Sequence, residues 1–253
     1  MLMISPIDGL PEVEPGCDLA LLLCDALSDL SAGAPKDSDV LVVTQKIVSK
    51  AEGCFVNLAE IEPSPEAMNL AEKVHKDPHF VELVLRESIA VVRAVPNVLI
   101  TRHHSGHVMA NAGIDRSNLG RNGSDWCLLL PKDADASAAR LYRQIEEQLG
   151  ASPAIVISDS FGRPWRNGVS QVAIGAAGLP ALLDQRGEKD RDGRVLEVTQ
   201  LGWGDMIANA AGLVMGEGSQ GVPAALVRGL DFGTFIPRPA ADLVRPVEED
   251  LFR

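Results

Sequence analysis

Long apolar runs, paired cysteines and clusters of basic residues are all scarce in this sequence. Apolar runs such as 19–24 are too short to cross a bilayer. The four cysteines are widely spaced, without a CxxC pair, and the first residues lack the basic-then-apolar pattern of a signal peptide. These absences argue against a disulfide scaffold and a membrane span, and they predict a cytoplasmic protein.

Charge also limits the possible partners. Acidic residues outnumber basic ones by 35 to 23, and no stripe of lysine and arginine is present, so we do not expect nucleic-acid binding. An anionic substrate remains possible where metal ions and a few cations reverse the local field. With 253 residues, of which 46% are apolar, the chain can bury a large core, and its composition is that of a globular enzyme.

Hydrophobic periodicity alternates between helix and strand along the chain, which predicts a mixed α/β fold. The predicted helices cover about 19–30, two stretches within 63–86, 134–149 and 204–214. The predicted strands cover 39–48, 89–95, 97–101, 107–112, 127–130, 154–157, 170–174, a segment ending at 199, and 224–227. The change from a helix-rich to a strand-rich pattern favours one domain over 1–253, built from two intimately joined lobes that divide near Gly106.

Two common nucleotide-binding folds are not expected. The string GEGSQG at 216–221 formally matches GxGxxG, but it follows a predicted helix and precedes a strand, the reverse of the Rossmann arrangement. No GxxxxGK[ST] motif occurs, so a Walker-type phosphate loop is absent as well.

The segment SDSFGRPWRNG follows the apolar strand AIVI and is the richest in chemistry. Asp159 and Ser160 offer hard oxygen ligands for Mg²⁺ or Mn²⁺, and Arg163 and Arg166 could meet phosphate or carboxylate oxygens. The alternative is structural: Asp159 and Ser160 would cap a turn and the arginines would be solvated. We expect this segment to be a loop at the end of the strand.

A second carboxylate, Asp115, tips the balance towards a divided metal site, and Glu217 is a third acidic candidate. Asp115 in AGIDRSN and Glu217 in MGEGSQG both lie beside glycines, and phosphate chemistry often draws carboxylates from separate segments. Glu217 could equally be a surface residue of a turn. Lys50 could offer a positive charge to a phosphate, although a solvated lysine is the default interpretation.

Three histidines, His103, His104 and His107, raise the alternative of a zinc site. No cysteine or HExxH context supports zinc, and these histidines could instead line the surface or a substrate cleft. His107 is a weak candidate for a general base.

Six segments taken together carry a family resemblance. In order they are GLPEV, VVTQKIVSKAEG, DPHFVELVLRESIAVVR, ANAGIDRSN, ISDSFGRPWRNGVSQVAIGAAGL and LVMGEGSQGVPAALVRGL. They resemble the coenzyme F420-0:L-glutamate ligases over nearly the whole chain. The resemblance implies a GTP-dependent ligase that joins L-glutamate to the lactyl-phosphate side chain of F420-0, sometimes adds further γ-linked glutamates, and releases GDP and phosphate. It also implies Mg²⁺ or Mn²⁺, assistance from K⁺, and a homodimer.

The resemblance also implies roles for individual residues. The implied metal ligands are Asp115, Asp159, Ser160 and Glu217. The implied GTP contacts are Leu10, Pro11, Glu12, Val13, Gln45, Lys46, Lys50, Asn118, Met215, Gly216, Glu217, Gly218, Ser219, Gln220, Gly221 and Val222. We expect Asp115, Asp159 and Arg166 to serve catalysis, through an acyl phosphate formed on the acceptor. The alternatives are a metal-dependent phosphohydrolase, an amide ligase for a different acid, and a nucleotide-binding protein without turnover.

Overall fold

The computed structural model describes residues 1–120, 125–232 and 235–250. Its strands are β1 (Met3–Ile7), β2 (Val40–Thr44), β3 (Phe55–Asn57), β4 (Ser88–Val95), β5 (Val98–His103), β6 (Val108–Ala110), β7 (Trp126–Leu128), β8 (Ala154–Gly162), β9 (Val169–Ala177), β10 (Leu182–Asp184), β11 (Gln200–Gly202) and β12 (Ala224–Arg228). Its α-helices are α1 (Leu19–Ser28), α2 (Gln45–Ala51), α3 (Pro65–Val74), α4 (Pro78–Arg86), α5 (Ala134–Leu149) and α6 (Trp203–Met215). The predicted mixed α/β class is confirmed.

A five-stranded sheet in the order β1-β12-β2-β8-β9 forms the centre of the molecule. β2 pairs in parallel with β8, and the other neighbouring pairs in this sheet are antiparallel. The run Val40–Val43 is fully buried, as a strand covered on both faces requires. Alternate residues serve opposite faces: Leu41 packs in the same cluster as α1 and α5, and Val42 packs with α6. This mixed sheet differs from the parallel sheet of a Rossmann fold.

A separate hydrophobic cluster is formed by residues whose positions in the sequence lie between β2 and α5. Helices α3 and α4 supply most of its buried side chains, with Leu99 from β5 and Cys127 from β7. The sheet β4-β5-β6 lies beside these helices, and Gly106 occupies the turn between β5 and β6. The single domain of two lobes with a break near Gly106 stays a prediction.

Several predicted boundaries are wrong. The strand expected over 39–48 ends at Thr44, where α2 begins. Ile47 and Val48 favour a strand intrinsically, but they bury their side chains in the central core from a helix, so tertiary packing overrides local preference. The strand expected to end at Thr199 is replaced by β11, which begins one residue later, and by an isolated bridge between Lys189 and Val195.

Two further differences affect the site. The strand expected over 107–112 is shortened to β6, because Asn111 and Ala112 adopt φ of 51° and 55° in the left-handed region. The segment expected to be a loop after 157 continues as β8 as far as Gly162. Asp159 and Ser160 therefore lie within a strand, just beyond a register shift between Ile157 and Ser158. No helix among the described residues is both long and apolar enough to span a membrane.

Candidate active site

A cleft of about 660 Å³ opens at the carboxyl end of β2 and beside β8 in the central sheet. Five stretches of the chain line it, falling within 10–13, 44–50, 115–120, 159–171 and 215–223. Since β2 and β8 are parallel, Thr44 lies beside Ser158 and the two strands deliver α2 and Asp159 to the same place. The crevice outside the carboxyl ends of parallel strands is where ligands commonly bind in α/β folds.

Asp159 is the most electrostatically perturbed carboxylate of this cleft. The pKa of Asp159 is raised to about 7, chiefly by burial and next by the neighbouring Asp115, with a smaller contribution from Glu217. The backbone N–H of Ser160 donates to Asp159 Oδ1 at 2.8 Å and opposes this rise, as does Lys46. Three acidic side chains from distant parts of the sequence therefore share one electrostatic environment.

Asp115 is held by two residues at the start of α2. Gln45 Nε2 donates to Asp115 Oδ2 at 2.6 Å, and Lys46 Nζ lies 3.0 Å from Asp115 Oδ1. The Ser49 hydroxyl donates to Gln45 Oε1 at 3.0 Å, which orients the Gln45 amide. The backbone of Asp115 exchanges two hydrogen bonds with Leu128, so the carboxylate stands on a fixed segment.

Glu217 enters the cleft from the loop after α6. Gln171 Nε2 on β9 donates to Glu217 Oε1 at 2.6 Å. Gly216 and Gly221 adopt φ of 73° and 68°, which favours glycine, and Gln220 Oε1 accepts from the Gly218 N–H at 2.8 Å. The loop thus presents backbone and carboxylate together to the cleft.

Lys50 is buried, whereas a solvated lysine was the default expectation from the sequence. Its side chain is only 6% exposed, and its ammonium forms an ion pair with Glu12, which also lines the cleft. A buried cation is stable when it is paired, and Glu12 supplies the counter-charge. The α2 helix therefore brings two ammonium groups to the cleft, on Lys46 and Lys50.

The cleft gathers nearly all of the predicted site residues. Two do not line it: Gln220, whose side chain braces the loop from within, and Arg166, which is exposed in the turn between β8 and β9. Residues that line the cleft but were not singled out are Thr44, Ile47, Gly120, Gln171 and Pro223. No local pattern marks Gln171, which reaches the cleft because β9 pairs it with Ser160 on β8.

The histidines form a separate group outside the cleft lining. Ser105 Oγ lies 2.8 Å from the Nδ1 atoms of both His103 and His107, and His104 Nε2 donates to the Arg86 carbonyl at 2.8 Å. Burial, followed by His103, lowers the pKa of His107 to about 4. Across the described ranges, no three or more histidine, cysteine or acidic side chains are arranged to hold a metal ion, and this applies both to these histidines and to the acidic residues of the cleft.

The chemistry of the donor set suits a hard divalent cation. Asp115, Asp159, Glu217 and the Ser160 hydroxyl are oxygen donors of the kind that Mg²⁺ and Mn²⁺ accept. Amide and ammonium donors contact two of the carboxylates, whereas burial, followed by the charge of Asp115, raises the pKa of Asp159. A divalent cation bound to these oxygens would oppose that rise.

Comparison with known proteins adds an independent finding. A family model described as F420-0:gamma-glutamyl ligase matches residues 9–229, which include every stretch that lines the cleft. The chain belongs to the F420-0:gamma-glutamyl ligase family. The resemblance predicted from six motifs is confirmed.

Full-length relatives of the F420-0:gamma-glutamyl ligase family support the match. The protein named coenzyme F420:L-glutamate ligase from Methanopyrus kandleri is 44% identical over 100% of this chain and 98% of its own length. Proteins of the same name from Methanothermobacter thermautotrophicus and Halobacterium salinarum are 42% and 43% identical, each over 98% of this chain. Similarity of this extent covers both the central sheet and the segment around α3 and α4.

Proposed function

We propose that this protein is a GTP-dependent ligase that joins L-glutamate to coenzyme F420-0 by an amide bond. The observation that carries the proposal is the cleft, which Asp115, Asp159 and Glu217 line together with Lys46 and Lys50. Acids together with ammonium groups suit a metal-bound nucleotide polyphosphate. The names of the full-length relatives supply the substrates.

The proposed reaction has two steps, because a free carboxylate is a poor acylating agent. In the first step a carboxylate oxygen of F420-0 attacks the γ-phosphorus of GTP, the bond to the bridging oxygen breaks, and GDP leaves with that electron pair. In the second step the amine of L-glutamate attacks the acyl carbon, the amide bond forms and phosphate leaves. The amine loses its proton to solvent. No protein nucleophile is needed.

In this scheme the residues of the cleft position the substrates and neutralise the negative charge of the phosphates. Asp115, Asp159, Ser160 and Glu217 would hold Mg²⁺ or Mn²⁺, which supplies neutralisation of the phosphate oxygens when bound. In the proposal Lys46, which pairs with Asp115, binds the same oxygens, and Lys50 exchanges its ion pair with Glu12 for one with a phosphate. The Gly216–Gly221 loop lets the backbone approach the nucleotide closely. A catalytic role for Arg166 would require movement of the β8–β9 turn towards the cleft.

A homodimer is part of the proposal, and β4 supports it. This strand lies at the edge of its three-stranded sheet, and Ile89, Val91 and Val92 are exposed by 58%, 40% and 53%. An apolar edge strand tends to pair with another chain. Assistance from K⁺, the addition of further γ-linked glutamates and a cytoplasmic location also stay predictions.

The decisive experiment supplies purified protein with GTP, Mn²⁺, L-glutamate and F420-0 and follows the mass of the coenzyme. We expect a product heavier by one glutamyl residue, formed only when all four components are present, together with GDP. Phosphate release that does not depend on L-glutamate would favour the phosphohydrolase. Binding of GTP without any product would favour a nucleotide-binding protein, and addition of glutamate only to another acid would favour the related amide ligase.

A further inference from the structure

The hairpin of β8 and β9 reaches beyond the central sheet. β2 ends at Thr44, but β8 and β9 stay paired with each other as far as Gly162 and Val169. We call residues 159–171 the β8–β9 arm. Its base lines the active-site cleft, and its far end is the turn formed by residues 163–168. The arm therefore joins the candidate active site to a surface that the nucleotide does not use.

Two guanidinium groups at the end of the arm have no acidic partner in the described part of the chain. Arg163 Nε is buried without a hydrogen-bond partner there, and Nη2 of the same side chain donates to the Asn167 carbonyl at a long 3.5 Å. The exposed Arg166 side chain forms no hydrogen bond or ion pair with any described residue. Acidic residues outnumber basic ones by 35 to 23, so two neighbouring unpaired arginines are unexpected. A buried unpaired donor is costly, and water, an ion or a ligand is needed to satisfy it.

Strand geometry places these arginines away from the proposed metal. Asp159 and Arg163 are four residues apart, which corresponds to about 13 Å along an extended chain. Neither Arg163 nor Arg166 lines the cleft, whereas Lys46 and Lys50 do. The two lysines are therefore the cations assigned to the nucleotide phosphates, and the two arginines are left for a second anionic group of a bound substrate.

The acceptor that the family resemblance implies has such a group. The lactyl-phosphate side chain of F420-0 carries the carboxylate that reacts and, a few bonds away, a phosphate. When the carboxylate attacks the γ-phosphorus of GTP in the cleft, this phosphate must lie outside the metal-bound polyphosphate. A guanidinium binds phosphate through two parallel N–H donors, a geometry that an ammonium group does not offer.

We infer that the β8–β9 arm binds the phosphate of the acceptor side chain through Arg163 and Arg166. The inference rests on the proposed function, because it takes the acceptor to be F420-0. Arg163 donates from Nε and Nη2 to two phosphate oxygens, exchanging its long contact with Asn167 for them, and Arg166 adds a second positive charge. Both arginines are binding residues: they hold the acceptor so that its carboxylate faces the γ-phosphorus in the cleft.

The first test measures binding without turnover, by calorimetric titration of F420-0 into the full protein with GDP and Mn²⁺ present and L-glutamate omitted. We expect Arg163→Gln to weaken F420-0 binding by roughly 10- to 100-fold, because charge-assisted hydrogen bonds to the phosphate are lost. Arg166→Gln should weaken it by about 3- to 5-fold, because an exposed ion pair contributes less. Arg191→Gln is the matched control, since Arg191 is exposed in a different turn and its loss leaves the affinity unchanged.

The second test separates phosphate recognition from damage to the fold. An acceptor analogue without the lactyl-phosphate group should bind equally to wild-type and Arg163→Gln protein, because Arg163 has no phosphate to contact in it. Arg163→Lys keeps the charge and loses the two parallel donors, so we expect it to recover part of the F420-0 affinity. In turnover assays, Arg163→Gln should raise the KM for F420-0 and leave the KM values for GTP and L-glutamate unchanged.

The outcomes distinguish this inference from the proposed function. Equal binding of F420-0 by wild-type and Arg163→Gln protein would overturn the role of the arm and leave the ligase intact. A higher KM for GTP or L-glutamate in place of F420-0 would also overturn it, since the arginines would then serve another substrate. Arginine-dependent binding of F420-0 without glutamylation would support the arm and reject the ligation. Failure of the wild-type protein to bind F420-0 would overturn both.

Discussion

Strands β2 and β4 have similar sequences and opposite surroundings. β2 reads VLVVT and is buried from Val40 to Val43, whereas β4 reads SIAVVRAV and is exposed over most of its length. Both are rich in β-branched residues, so local preference makes each a strand. Burial is decided by neighbours instead: β2 lies inside a five-stranded sheet, and β4 is the edge of a three-stranded one. The comparison separates a strand that holds the molecule together from one that is free to meet a partner.

The buried sheet should carry the largest functional effect, because the end of β8 holds Asp159. We expect Asp159→Asn to lower the ligase rate by roughly 100- to 1,000-fold, since the variant loses a charge that would bind the metal. Steady-state glutamylation with unchanged circular dichroism measures this. Asp184→Asn is the control, because Asp184 pairs with Arg186 on the surface and should leave the rate intact. Full activity of Asp159→Asn would reject the metal assignment.

The largest effect on stability is expected in β2. Leu41 is fully buried, so Leu41→Ala should lower the free energy of unfolding by about 3 kcal/mol through lost burial and a cavity. Urea denaturation measures it. A cost below about 1 kcal/mol, similar to that of a surface substitution, would show that β2 is not the structural centre of the sheet.

An intermediate effect is expected where the two sheets approach each other. His107 precedes β6, and its ring lies 6.2 Å from that of Phe161 on β8. Its pKa is about 4 in the folded chain and near 6.5 when unfolded, so the unfolded chain binds the proton first on acidification. The contribution of neutral His107 to the free energy of unfolding is fully present above pH 6.5 and is lost as the pH falls towards 4. Between pH 7 and pH 5 we expect a loss of about 1–2 kcal/mol.

His107→Gln tests this assignment, since it removes the titrating group and leaves a side chain that can still hydrogen-bond to Ser105. Thermal unfolding of both proteins over the same pH range gives the difference. If the thermal stabilities of the two proteins change equally with pH, His107 does not couple protonation to folding.

The smallest effect on folding is expected in β4. Val92→Lys should change the stability of a single chain by less than about 0.5 kcal/mol, because the side chain is exposed. The same substitution should separate the proposed dimer, since it places a charge in an apolar contact. Sedimentation at several concentrations measures this, with Val198→Lys as the control at another exposed valine. A wild-type protein that sediments as a monomer throughout would reject the dimer.

Site residues could be predicted from the sequence where an acidic side chain lies near the end of a predicted strand or beside glycines. Asp115, Asp159 and Glu217 were recognisable because each lies beside glycines or follows an apolar run, and the structure brings them to one cleft. The paired state of Lys50 was not predictable, because its partner Glu12 is far away in sequence and only the assembled fold brings them together.

Other features depended on packing that no local pattern records. The α2 helix begins where Ile47 and Val48 would favour a strand, and the Gln45 and Lys46 contacts to Asp115 follow from that helix. Gln171 was missed because its role comes from strand pairing with Ser160 rather than from its own neighbours in the sequence.

The pairing of β1 with β12 joins the first strand of the chain to the last, over Met3–Ile7 and Ala224–Arg228. Two segments that line the cleft are continuous with this pair of strands: residues 10–13 follow β1, and residues 215–223 precede β12. The cleft is therefore completed only when residues 215–223 have joined residues 10–13 through this pairing. A chain that ends before residue 215 lacks one wall of the cleft.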